Sequence, residues 1–242
     1  MKKVCVISCP IATRSGYGAR SRDFVRSLID LKGEEWDIKI LSQRWGATPM
    51  NALTPDDTIF TDRIIPKIES KPDIWIQITI PSEFQPVGNF NIGVSAVIET
   101  SDAVAEFVEG CNRMDLNLVS SEHSAKTLMA VYDKLHEQTK QKIGELKIEK
   151  PVEVLFEGYD TNVYDNKKPI SETVKKVMSD IPEQFCFLFV GHWLPGAQGH
   201  DRKNIYSLIK VFLNTFKGQS FRNKSKPALI LKTNTGQPSI SS

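Results

Sequence analysis

The chain has 242 residues, 40% hydrophobic and 25% charged, a balance that predicts a folded protein and excludes wholesale disorder. Thirty-one Lys and Arg against 29 Asp and Glu leave a formal charge of +2, too even for the basic footprint of a dedicated nucleic-acid binder. No apolar run reaches the roughly 20 residues that cross a bilayer, and four cysteines are too few for a disulfide scaffold, so a reducing cytoplasm is the expected setting.

Residues 3–8 form an apolar run of strand length, too short for a secretory signal and closed by Pro10. Thr13-Arg14-Ser15-Gly16-Tyr17-Gly18 follows as a glycine-containing loop. A helical pattern then places Ala19, Phe24, Val25, Leu28 and Ile29 on one face and stops at Gly33. Residues 36–42 form the next strand. Strand, glycine loop, helix and strand make a βαβ unit, so a parallel sheet is predicted.

The alternation continues. Residues 73–79 and 91–98 read as strands, 103–110 as a short helix and 115–120 as a strand. Residues 121–135 read as one helix with a serine at its N-cap and Leu128, Val131 and Leu135 on one face. Residues 136–150 are polar and without a clean period, and read as a solvated helix end or an insertion. Residues 152–156 give another strand, followed by the turn Glu157-Gly158-Tyr159-Asp160.

Asp165-Asn166-Lys167-Lys168-Pro169 marks the best domain boundary, which divides the chain into domains 1–165 and 166–242. Beyond it a second α/β pattern begins, with a helix at 171–179, a dense strand at 185–190, a helix at 203–216 and a strand at 228–231. Two strands bury too little apolar surface for a free-standing domain and leave both sheet edges open. The second domain is therefore expected to be incomplete, or to dock firmly on the first.

Candidate chemistry sits where strands pass into helices, because the first helix amides lack internal partners and the dipole is positive there. The first such place is the loop carrying Gly16 and Gly18, either a ligand-approaching loop or simply a tight turn. The second runs from Gly191 to Asn204, where Arg202 and Lys203 place two positive charges at a helix start. Cations there oppose the dipole and call for an anion, so a diphosphate clamp competes with a solvated basic pair. Glu99 follows the strand at 91–98, at the edge where α/β sheets hold ligands. His123, beside Glu122 near a helix start, is a catalytic candidate or a local hydrogen-bonding group. Cys111 reads as buried rather than reactive. Cys5 and Cys9 are not a CxxC pair, and His192 and His200 lack a third ligand at sensible spacing, so no metal is expected. HExxH, Walker A, GxSxG and DxD motifs are absent.

Four stretches together resemble the retaining glycosyltransferases of the GT-B fold, family 4 type, and especially those of bacteriophage and marine microbial genomes. They are VCVISCPIATRSGYGARSRDFVRSL, then IPSEFQPVGNFNIGVSAVIETSDAVAEFVEGCNRMDLNLVSSEHS, then VLFEGYDTNVY, and last FLFVGHW with DRKNIYSLIKVFLNTF. The resemblance implies two Rossmann-like domains facing a cleft, an acceptor-side domain at 1–165 and the first part of a nucleotide-sugar donor domain at 166–242. It implies transfer of a sugar from a nucleoside-diphosphate sugar to a hydroxyl of a glycan, lipid or protein acceptor, with retention at the anomeric carbon and no metal or other cofactor. By position, Arg202 and Lys203 match donor phosphate contacts and Gly191 begins the loop that leads to them. Gly16 and Gly18 match the glycine loop that approaches the donor from the first domain. Glu99 and His123 border the acceptor side. Relatives carry a Glu-x7-Glu element later in the donor domain. Here Glu145/Glu153 and Glu149/Glu157 have that spacing but precede the boundary, so the donor domain is expected to be truncated, which leaves the chain either active or inactive by itself. The alternatives are a non-catalytic sugar- or partner-binding remnant, and a nucleotide-dependent oxidoreductase or epimerase. The last would need GxGxxG and an acidic residue after the second strand, where Gln43-Arg44 stands.

Overall fold

The computed structural model describes residues 2–46, 48–161, 163–191, 193, 203–218 and 226–233. The chain divides into two compact units, Met1–Tyr164 and Asp165–Ser242.

The first unit runs β1 (Lys3–Cys9), α1 (Gly16–Lys32), β2 (Trp36–Ser42), α2 (Thr58–Thr61), β3 (Ile64–Ile65), β4 (Ile74–Ile78), a 3-10 turn (Pro81–Glu83), β5 (Phe90–Ser95), α3 (Ala105–Asn112), β6 (Leu116–Val119), α4 (Glu122–Thr127), β7 (Tyr132–Leu135), β8 (Lys142–Leu146) and β9 (Val152–Val154). Seven strands form one all-parallel sheet in the order β3-β2-β1-β4-β5-β6-β9. This is a Rossmann-like α/β sheet.

Strand alternation builds a core on each face. Cys5, Ile7 and Cys9 of β1 join Ile38, Ile40, Ile76 and Ile78 beneath Val25 of α1. Val6, between them, points to the other face with Trp75, Val119 and Cys111. Ile7 stands opposite Ile40 on one side and Ile76 on the other, and all three are essentially inaccessible. Each buried isoleucine contributes about 1.5–3 kcal/mol relative to an exposed one. Two covered faces explain why these strands read as continuous apolar runs rather than alternating ones.

One stretch differs from the sequence expectation. Residues 121–135 are not one helix: α4 ends at Thr127, and Tyr132–Leu135 pairs antiparallel with Lys142–Leu146. Residues 136–150, read as a solvated helix end or an insertion, contain the second arm of this hairpin. Val131 and Leu135, taken for a core face, are 56% and 52% exposed. The hairpin is anchored instead by buried Leu146 and by the Tyr132 hydroxyl, which donates to the Ala103 carbonyl.

The second unit runs α5 (Glu172–Ser179), β10 (Cys186–Val190), α6 (Ile205–Phe216) and β11 (Ala228–Lys232). β10 and β11 pair in parallel, with Phe187 opposite Leu229. Phe212 and Phe216 of α6 lie over Phe187, each with its ring centroid 5.9 Å away. Leu188 and Val190, on the alternate face, are 66% and 62% exposed. No described helix is long and apolar enough to cross a membrane.

Candidate functional site

The strand order reverses at β1. The chain winds outward through β2 and β3, then returns to pair β4 on the other side of β1 and proceeds through β5, β6 and β9. Open α/β sheets bind ligands outside the carboxyl ends of their strands at such a point. Here that edge carries the 10–15 loop and the start of α1, the 43–46 loop after β2, and the connections following β5 and β6.

The 10–15 loop is held by its own polar groups. The Ser15 side chain caps α1, accepting from the Gly18 amide at 2.9 Å, and its Oγ pairs with Thr13 Oγ1 at 2.8 Å. Arg22 reaches back from α1 and donates to the Ile11 carbonyl at 2.8 Å and the Thr13 carbonyl at 3.0 Å. Partial burial holds the Arg22 guanidinium below its ordinary pKa.

The two glycines differ. A β-carbon on Gly18 would meet the Thr13 carbonyl oxygen at 2.2 Å, so this glycine lets helix and loop pack together. Gly16 has no atom within 4 Å of that position and is exposed. Both lie inside the first turn of α1 rather than in the loop ahead of it. With the Gly18 amide taken by Ser15, the amides of Gly16 and Tyr17 are the helix-end donors, and among the described residues no acceptor meets them. Beside Gly16 opens a cavity of about 460 Å³, lined by Arg20, Arg22, Asp23 and Arg26 on α1 and by Glu157, Tyr159, Asp160 and Tyr164 opposite. Arg20 is fixed there by the Leu155 carbonyl at 2.9 Å and Glu157 at 3.9 Å.

Tyr17, between the two glycines, packs against the core beneath α1. Its ring stacks on Trp45 with centroids 4.1 Å apart and planes 23° from parallel. Its hydroxyl pairs with Ser95 Oγ at 3.0 Å and accepts from the Ala96 amide at 3.1 Å. The Ala96 carbonyl accepts from Ser124 Oγ at 2.9 Å. Ala96 thus ties α1, the end of β5 and α4 together. Burial, chiefly, pushes the Tyr17 hydroxyl above its ordinary pKa. Next in the chain, Val97 adopts φ 62°, a left-handed conformation that a β-branched residue rarely takes. Tyr17, Ser95 and Trp45 were not singled out by motif reading. The available signal was an aromatic residue between two glycines at a helix start.

The residues named from sequence occupy several places. Glu99 is exposed on the connection after β5, three residues beyond Ala96, and its charge acts on the Tyr17 hydroxyl. His123 is exposed on α4, next to the Ser124 that bonds Ala96. In the second unit, Gly191 follows β10 and donates its amide to the Lys232 carbonyl at 3.1 Å. A β-carbon there would lie 2.8 Å from the Phe189 ring. Lys203 is exposed just before Asn204, the N-cap of α6, whose backbone is left-handed and whose side chain makes no capping bond. Arg202 lies outside the described residues. Cys5, Cys9 and Cys111 are buried, and burial pushes each thiol up to about 12.

The chain matches no protein-family model and none of the curated proteins.

Proposed function

We propose that the chain works in sugar transfer, in the manner of a GT-B glycosyltransferase, moving a glycosyl group from a nucleoside-diphosphate sugar to a hydroxyl acceptor in the cytoplasm. The observation that carries this reading is the open helix start at Gly16, set at the reversal point of an all-parallel sheet beside a cavity where three guanidinium groups meet three carboxylates. Bare amides and a helix dipole suit an anionic group, and arginines interleaved with carboxylates suit the hydroxyls of a polyhydroxylated ligand. In this reading the first unit presents the acceptor side, with Glu99 and His123 bordering it. Gly16 and Gly18 form the loop that approaches the donor. In the second unit, Gly191, Arg202, Lys203 and the start of α6 receive the diphosphate, and stabilise the charge that grows on it as the glycosidic bond breaks. No resident metal or cofactor is invoked.

A second reading, sugar binding without turnover, draws on the second unit, whose two-stranded sheet leaves Leu188 and Val190 exposed. Calorimetric titration with nucleoside-diphosphate sugars, followed by product analysis, separates the two. Heat with a transfer or hydrolysis product supports the enzyme, heat without product supports the binder, and no heat removes both.

A further inference from the structure

We infer that Tyr17 and Ser95 form a hydroxyl pair that donates one hydrogen bond to an uncharged oxygen, a hydroxyl or carbonyl, of a ligand lodged outside the ends of β1, β4 and β5. This deepens the proposed function by naming a subsite for the neutral, polyhydroxylated part of a substrate. It rests on the reading of that edge as a ligand site, not on the transfer step.

The inference comes from counting protons. Two hydroxyls carry two O–H donors. The Ala96 amide donates to Tyr17 Oη at 3.1 Å and the Val97 amide donates to Ser95 Oγ at 3.1 Å. The Tyr17–Ser95 bond at 3.0 Å consumes one O–H, whichever way it runs. The other O–H finds no acceptor among the described residues. An O–H left over in a half-buried network costs free energy until an acceptor meets it.

The pair is also rigid. Ser95 is only 5% exposed, the Tyr17 ring is stacked on Trp45, and the Ala96 carbonyl is held by Ser124. The left-handed Val97 adjoins this network, and such strain persists where surrounding contacts over-determine the backbone, often at ligand sites. The choice of an uncharged partner follows from the pair's own bonds, which join neutral hydroxyls and backbone amides and leave a single neutral O–H on offer. A phosphate calls for a cation or several donors, whereas a sugar hydroxyl needs one.

The test uses the full chain with [13Cζ]tyrosine and two probes, glucose and inorganic pyrophosphate. The chain has five tyrosines, and Tyr17→Phe assigns the signal. Glucose should shift the Tyr17 resonance and pyrophosphate should not. Calorimetry with glucose adds a second signature. Tyr17→Phe leaves the Ser95 O–H, and Ser95→Ala leaves the Tyr17 O–H, so each single variant should bind within about fivefold of the parent. The double variant, with no donor, should bind at least about tenfold more weakly than either. A Tyr17 signal unmoved by glucose, a shift with pyrophosphate instead, or single variants as impaired as the double would overturn the inference. Sugar-nucleotide turnover is scored separately. Glucose binding at Tyr17 without turnover removes the transfer reading and keeps this site, and turnover with a silent Tyr17 does the reverse.

Discussion

Gly18 and the Thr13 carbonyl approach so closely that a β-carbon on the glycine would lie 2.2 Å from that oxygen, with Thr13 Oγ1 at 2.5 Å. The obstruction is largely backbone, and Arg22 fixes the same carbonyl from α1, so it cannot swing aside. Gly18→Ala should therefore cost more than about 2 kcal/mol of stability, through overpacking and a displaced helix start. Gly16→Ala meets open space and should change stability by no more than about 1 kcal/mol, in the stabilising direction if the helix preference of alanine prevails. Urea denaturation of both variants checks this. If Gly16 serves a ligand, its variant should lose affinity while keeping stability, which Gly18→Ala cannot do.

Three buried thiols and Tyr17 set an alkaline limit. Cys5, Cys9 and Cys111 titrate near 12 in the folded chain, and the Tyr17 hydroxyl is also raised. The folded state therefore holds protons that the unfolded chain releases from about pH 8.5 for thiols and about pH 10 for tyrosine. Stability should be full below that range and fall steadily as pH rises through it to about 12. Thermal melts from pH 7 to 11 test the trend. Native protein at pH 8 should leave these three thiols unreactive towards a disulfide reagent until it unfolds, and prompt reaction of all four cysteines would contradict the burial.

At the opposite end of the pH scale stands Asp115. Its carboxylate accepts from the Asn91 amide at 2.8 Å and from Asn91 Nδ2 at 3.0 Å, and these bonds hold its pKa below the ordinary value. The stabilisation is present above the unfolded value near 3.9 and is lost as pH falls through the depressed one. Asp115→Asn should lower stability at pH 7 and flatten its decline below about pH 4, as read by denaturant midpoints across that range.

The hairpin of β7 and β8 has its own test. Tyr132→Phe deletes the hydroxyl that meets the Ala103 carbonyl and should cost about 0.5–1.5 kcal/mol. Leu146→Ala should cost more, about 2–5 kcal/mol, because Leu146 is buried. Urea midpoints of both variants give the order.

That hairpin also marks where sequence reading ran out. Leu128, Val131 and Leu135 recur at spacings of three and four, which is a helical signal. Only Leu128 is buried. The strand that follows is set by pairing with Lys142–Leu146 and by a bond to Ala103, contacts that no local period encodes. α2 and β3, of four and two residues, are shorter than any period that could reveal them. By contrast, β1 and β10 are plain as dense apolar runs, because parallel strands are covered on both faces or expect to be. At the site, Gly16 and Gly18 stood out as glycines, but their different roles depend on where Thr13 lies in space. Tyr17 and Ser95 are 78 residues apart and meet only through the fold.

The central claim is transfer from a nucleoside-diphosphate sugar, and the most direct measurement is release of nucleoside diphosphate by the full chain supplied with a panel of such sugars and a polyhydroxyl acceptor. The account predicts release from at least one donor, together with a glycosylated or hydrolysed sugar product, and its loss by at least about 100-fold when Arg202 and Lys203 are both changed to alanine, as expected when fixed charge stabilisation of a leaving group is removed. No release from any donor, or release unchanged in the double variant, would contradict it.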